Sequence, residues 1–187
     1  MTGWRESSFV LQAALVAAFY PSTAVLLGGP ALQTPRALLL SLLLGAMLAA
    51  LSLIDLRTYR LPDVLTLTLV VAGCLSPDPL LVAEIAWRMA AAVAGWLAFF
   101  AIATFYRRWR GFEGLGLGDA KLLGAGGAWL GMEALPLVVL VASSLALAVA
   151  GLLVASGRQI DGKSRLPFGP FLAAGIWLAW LELHSII

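Results

Sequence analysis

Long charge-free stretches alternate with short polar breaks along this chain. The stretches cover residues 7–35, 37–54, 64–77, 89–106, 122–132, 134–157 and 166–181. A helix that crosses a bilayer takes about 20 mostly apolar residues. The first, second, fourth and sixth stretches meet or approach that length. The seventh is near the limit, counting 170–184 as its helix, and the third and fifth are short. The pattern therefore predicts an all-α fold: a polytopic integral membrane bundle of about seven helices, two of them short or broken, forming a single domain over residues 1–187.

Prolines and glycines sharpen the boundaries. Pro62 and Pro136 fall where a helix would start, the first-turn position that proline tolerates. Pro167-Phe168-Gly169-Pro170 breaks any helix and makes a rigid entry into the seventh. Residues 111–118 hold four glycines in eight positions and are expected to be a loop. Near the start of the chain, Ser22-Thr23-Ala24 could pass for a signal-peptide cleavage region. The apolar run continues through Leu27, however, and the flanking charge at Arg5 is weak, so a retained first helix is expected.

Composition agrees with lipid as the solvent. Of 187 residues, 61% are hydrophobic and 12% charged, against about 25% charged in a soluble domain. The 19 glycines suit close helix packing in a bilayer. The net charge of +2 makes no case for nucleic acid. The single cysteine, Cys74, excludes an intrachain disulfide and a Cys-type zinc site, and reads as helix packing. The tryptophans read mostly as interfacial or packing aromatics.

Where the positive charge lies says more than its sum. On the predicted topology one side holds Arg5, Arg57, Arg60, Arg107, Arg108, Arg110, Lys121, Arg158, Lys163 and Arg165. The other holds Arg36 and Arg88, and Arg88 can pair with Glu84 at i, i+4. The richer side is expected to be cytoplasmic, with the N-terminus inside and the C-terminus outside. The cluster of Arg107, Arg108 and Arg110 reads as a topology determinant or an anionic-lipid contact.

Two polar clusters interrupt the apolar chain, both on that side. One runs from Asp55 to Asp63 between the second and third helices, and the other from Gly114 to Lys121 at the opening of the fifth. Ionisable groups at membrane depth are costly and are functional candidates by default. Asp55 and Asp119 could work as a pair. Two carboxyl groups sharing one proton cannot both ionise, so one draws a proton from water while the other polarises a peptide carbonyl. The only histidine, His184, lies at the far end of the last helix, which disfavours a Ser-His or Cys-His pair, and nothing here makes a zinc hydrolase set. Gly114-x-Gly116 is no dinucleotide fingerprint, because Asp119 stands in place of the third glycine and no strand precedes it.

Each carboxylate also has a plainer reading. Asp55 could be a polar helix end paired with Arg57 or Arg60, and Asp119 an N-terminal helix cap. A small transporter using Asp55 and Asp119 as a proton or cation site is the alternative function. Transporters of that kind show internal repeats and midplane polar groups, whereas here the acids gather at one face. Helix position suggests further that Asp119, at a helix N-terminus, carries the charge and that Asp55, at a C-terminus, keeps the proton.

Three motifs in order resemble the type IV prepilin peptidases, membrane aspartyl proteases of the Gly-x-Gly-Asp type. They are Asp55…Leu61-Pro62-Asp63, then Gly116-x-Gly118-Asp119-x-Lys121, then Leu166-Pro167-Phe168-Gly169-Pro170, and the resemblance covers roughly residues 38 to 180. It implies an aspartic endopeptidase with Asp55 and Asp119 as the catalytic pair and no cofactor. It also implies removal of basic leaders from prepilins or pseudopilins after a glycine, at the cytoplasmic face of a bacterial inner membrane. Asp63, Gly116, Gly118, Lys121, Pro167 and Gly169 would support the site or substrate, although Lys121 alone reads more readily as a cytoplasmic anchor. Glu113, Asp119 and Asp161 are candidates for receiving the basic leader. Two departures stand out. The four-cysteine N-terminal region of longer members, with its implied zinc, is absent from this sequence, and Arg57 replaces a second acid two positions after the first. They leave the peptidase expectation in place and weaken that of N-methyl transfer.

Overall fold

The computed structural model describes residues 14–16, 18–25, 34–76, 82–110, 116–157 and 167–185. Glu113, Asp161, Arg5, Arg158, Lys163 and Arg165 lie outside the described residues. Seven helices are described: α1 (Ala14–Val25), α2 (Pro35–Thr58), α3 (Asp63–Leu75), α4 (Val82–Arg110), α5 (Leu117–Leu130), α6 (Leu135–Ala155) and α7 (Gly169–Ser185). No strand occurs among the described residues. Three helices are long and apolar enough to cross a membrane: α2, α4 over Val82–Trp109, and α6. As the sequence predicts, α3 and α5 are short, at 13 and 14 residues.

Local chemistry sets most boundaries. The Thr34 hydroxyl caps α2 by accepting the Ala37 N–H at 3.2 Å, with Pro35 in the first turn behind it. Pro62 caps α3, Pro136 sits in the first turn of α6, and Gly131, at φ 86°, ends α5. One expectation is corrected. Residues 111–118 are not loop to their end, because α5 begins at Leu117 and already contains Gly118. Within that first turn Leu61 packs on the glycine: a Cβ at Gly118 would sit 3.0 Å from the Leu61 Cβ. Several helices also outrun their charge-free stretches. The 29-residue α4 takes in Glu84 and Arg88 at one end and Arg107 to Arg110 at the other.

The centre of the bundle is α5, buried along nearly its whole length from Asp119 to Leu130. Small residues let its neighbours approach it. Gly124 lies under the Ala92 carbonyl, where a Cβ would come within 3.0 Å, and Gly127 lies still closer under that of Ala91. Close approach of backbones through small residues is what drives helix association in lipid, where apolar side chains gain little by leaving the hydrocarbon. Trp129, fully buried, packs edge-on to Trp180 at 5.4 Å and donates its indole N–H to the Leu69 carbonyl at 2.8 Å. The Trp180 indole donates to Ser41 Oγ at 2.9 Å and the Trp177 indole to Thr23 Oγ1 at 2.8 Å, so α7 is tied to α2 and α1. These three tryptophans are interior hydrogen-bond donors, while Trp87, Trp96 and Trp109 lie on the outer surface with Leu39, Leu42, Leu67 and Leu140. Cys74 packs with Ala92 and Ala128, as expected of a packing residue.

The helices alternate in direction, so polar groups collect at two ends. At one, the Arg36 guanidinium donates to the Ser76 carbonyl at 3.0 Å. At the same end Arg88 donates to the carbonyl oxygens of Ala128 and Trp129, capping the C-terminus of α5 with a positive charge. Its Glu84 neighbour stays within electrostatic reach. The other end gathers the C-terminus of α2 and the N-termini of α3, α5 and α7.

Candidate active site: two carboxylates among four helix ends

Asp55 sits in the last turn of α2 and Asp119 in the first turn of α5. Both are buried, at 5% and 8% exposure. They are also near enough for a charge on Asp55 to act on Asp119. The convergence expected from sequence is therefore realised by the fold, and each carboxylate receives one backbone N–H.

For Asp119 the donor is Gly116, the cap of its own helix. For Asp55 it is Gly169, the first residue of α7, whose N–H donates to Asp55 Oδ2 at 3.1 Å. This changes the electrostatic comparison. Sequence placed only the negative end of α2 beside Asp55, but α7 brings a positive helix end to the same carboxylate. The asymmetry on which the expectation of a charged Asp119 and protonated Asp55 rested is thus reduced.

The motif glycines acquire a concrete purpose. A Cβ at Gly169 would lie 2.6 Å from Asp55 Oδ2 and 3.0 Å from its Cγ. One at Gly116 would lie 3.3 Å from Asp119 Oδ2. Gly118 in turn receives Leu61, the residue before Pro62, which locks the α2–α3 turn onto the start of α5. The glycines therefore make room for the carboxylates and for Leu61. Pro167 is half-buried two residues ahead of Gly169, and Phe168 between them packs on Phe99 at 6.3 Å.

Asp63 and Lys121, which sequence treats separately, are partners. Lys121 Nζ and Asp63 Oδ1 are 2.6 Å apart, joining the first turns of α3 and α5 beside Asp119. The pair is largely solvent-exposed, so its contribution is small, about 0–1 kcal/mol. Opposite charges at two helix starts on one side are the signal that could have paired them. Among the described residues no group of three or more His, Cys, Asp or Glu side chains assembles that could hold a metal ion.

Sequence reasoning passed over Tyr59. It caps α2 in the left-handed conformation at φ 53°, and its N–H donates to the Asp55 carbonyl at 2.8 Å. Thr58 steadies the turn: its hydroxyl donates to the Ile54 carbonyl at 2.9 Å and accepts the Arg60 N–H at 3.3 Å. An αL aromatic leaves no mark in a sequence, where glycine is the usual sign of that conformation.

Comparison with known proteins fits this arrangement. Residues 42–151 match the type IV leader peptidase family. The chain is 46% identical over 132 residues to a prepilin leader peptidase/N-methyltransferase of Burkholderia pseudomallei, covering 71% of this chain and 42% of that protein. Proteins of the same name from Aeromonas salmonicida and Pseudomonas aeruginosa are 40% and 39% identical over 148 and 140 residues. Those alignments cover 79% and 75% of this chain and 50% and 48% of the relatives, so the chain spans about half the length of the curated relatives it matches. No solved structure matches it. A matched segment extending over more than half of the chain, with Asp55 and Asp119 both inside it, makes this protein a member of the type IV leader peptidase family.

Proposed function

We propose that this protein is an aspartic endopeptidase that removes leaders from prepilins or pseudopilins, with Asp55 and Asp119 as its catalytic pair. The observation that carries the reading is the meeting of these two buried carboxyl groups, each held by one backbone N–H. A charge on Asp55 acts on Asp119, and in the proposed mechanism the two share one proton, as paired carboxyl groups do.

The chemistry follows from that shared proton. The ionised carboxylate takes a proton from water as the oxygen attacks the scissile carbonyl carbon. The protonated carboxyl donates to the carbonyl oxygen, giving a neutral gem-diol. As the diol collapses, one of its hydroxyl groups gives its proton to the carboxylate that is now ionised, the C–N bond breaks, and the leaving nitrogen takes a proton from the other carboxyl, so the pair again holds one proton. Water is consumed, a carboxylic acid and an amine are formed, and no further group is needed. The proposal covers hydrolysis alone and does not extend to N-methyl transfer.

The excess of Lys and Arg at the Asp55–Asp119 end supports a cytoplasmic active site in a multi-pass bacterial inner-membrane protein. A leader rich in basic residues, cut after a glycine, is the substrate that the family resemblance implies.

The test uses protein purified in detergent and a peptide with a basic leader, a glycine and an apolar helix. Asp55→Asn and Asp119→Asn are each expected to abolish cleavage while retaining the wild-type helical spectrum. Full cleavage by either variant would remove that residue from the mechanism.

A further inference from the structure

An open depression lies against the inner end of α2, lined by Ile54, Thr58, Tyr59, Arg60 and Pro62. It lies in the same last turn of α2 as Asp55, whose main-chain carbonyl accepts the Tyr59 N–H. Tyr59 is the only non-glycine residue with positive φ among the described residues. A bulky side chain in that region is an outlier, and such residues gather at ligand clamps and active sites.

Two features separate this tyrosine from an ordinary helix cap. Glycine would close α2 in the same conformation without a steric cost. Nor does core packing compensate for the strain, because Tyr59 is 51% exposed. The strained backbone therefore presents an aromatic side chain to the outside, at the rim of a depression at the end of the helix that carries Asp55. Beside it Arg60 carries a guanidinium with five N–H donors, while the Thr58 hydroxyl is occupied by the turn. An extended peptide at a membrane surface brings main-chain carbonyl groups that need such donors.

We propose that this depression is a substrate subsite, which seats the extended main chain of the peptide next to the bond that is cut. The Tyr59 ring packs over that segment and Arg60 donates to its carbonyl oxygens. Arg60 makes the rim positive, so the segment seated here has neutral or apolar side chains and the basic part of a leader lies elsewhere. This inference rests on the peptidase reading and adds to it the place where the substrate is held.

Two measurements on the full chain in lipid nanodiscs test it. In the first, a benzophenone amino acid replaces Tyr59 in an Asp119→Asn background, and a fluorescent peptide with a basic leader, a glycine and an apolar helix is added. Illumination is expected to crosslink the peptide at residues flanking the glycine, and excess unlabelled peptide to suppress it. In the second, Tyr59→Gly and Arg60→Gln are compared with wild type in steady state. Tyr59→Gly is expected to raise KM about tenfold with a much smaller change in kcat, and to melt no lower than wild type because the strain is relieved. Arg60→Gln is expected to raise KM in the same sense. Unchanged KM in both variants, or crosslinks confined to the basic leader, would overturn the subsite while leaving the peptidase reading intact. Failure of the wild type to cleave, with crosslinks still flanking the glycine, would sink the peptidase reading and overturn the subsite as a place for substrate, leaving only a peptide-binding depression.

Discussion

Gly169→Ala is the sharpest single perturbation of the paired carboxylates. The added methyl carbon would stand 2.6 Å from Asp55 Oδ2, 3.0 Å from its Cγ and 3.3 Å from its Cβ. Side-chain carbons essentially never approach other heavy atoms within 3.0 Å, so the carboxyl group or the start of α7 withdraws by at least 0.4 Å (3.0 less 2.6). Either movement stretches the 3.1 Å hydrogen bond from Gly169 to Asp55. Misplacement of reacting groups by about 1 Å costs roughly 100-fold in rate, so a shift near half that size predicts a fall in kcat of about tenfold. Overpacking of this kind also costs about 1–3 kcal/mol, lowering Tm by several degrees without unfolding the bundle at room temperature. Cleavage of a leader peptide by purified protein, alongside a thermal melt, reads both effects. Gly151→Ala in α6 is the control, since nothing lies within 4 Å of a Cβ there, and it should keep full activity and stability. A folded Gly169→Ala protein with wild-type kcat would refute the idea that α7 positions Asp55.

Other consequences follow from the packing. Trp129→Phe removes the indole donor to the Leu69 carbonyl, and should destabilise the protein by about 0.6–1.7 kcal/mol, the range for interhelical hydrogen bonds in a bilayer, read from unfolding in mixed micelles. Gly127→Val places a branched side chain against the Ala91 carbonyl and should prevent α4 and α5 from closing, leaving no monodisperse peak on size exclusion. Lys121→Met breaks the exposed pair with Asp63 and should lower stability by less than about 1 kcal/mol. High salt should shrink that difference, and the exchange Asp63→Lys with Lys121→Asp should restore most of it.

How much of this was legible beforehand depended on the solvent. In a bilayer, lipid and protein interior are both apolar, so sequence pattern fixes where a helix lies across the membrane but not which way it faces. The short lengths of α3 and α5 and the grouping of Asp55 with Asp119 could thus be read from charge-free runs and polar breaks. The central position of α5 could not, because Leu122 and Leu123 in the core are written in the same letters as Leu42 and Leu43 on the outside. The three buried tryptophans look in sequence like the three exposed ones for the same reason. At the site, the acids were visible as charges in an apolar chain. Gly169 was expected as a support through the family resemblance, but not that it acts through its backbone N–H and lack of a side chain, and nothing in the letters marked Tyr59, which acts through its φ. For the Lys121–Asp63 pair, opposite charges at two helix starts on one side were the available signal, although no periodicity records the register of the two helices.

The shortness of α5 has a consequence for the supply of water. At about 1.5 Å per residue, its 14 residues measure about 21 Å, well under the ~30 Å of hydrocarbon in a typical membrane. Each end carries a charged cap, Lys121 at one and Arg88 at the other, and neither ammonium nor guanidinium settles among acyl chains. Because α5 is enclosed by its neighbours rather than by lipid, the shortfall leaves its ends recessed between the longer α2 and α4. A recessed end of this kind is a place where water could stand beside Asp119, and the hydrolysis proposed above would draw on it.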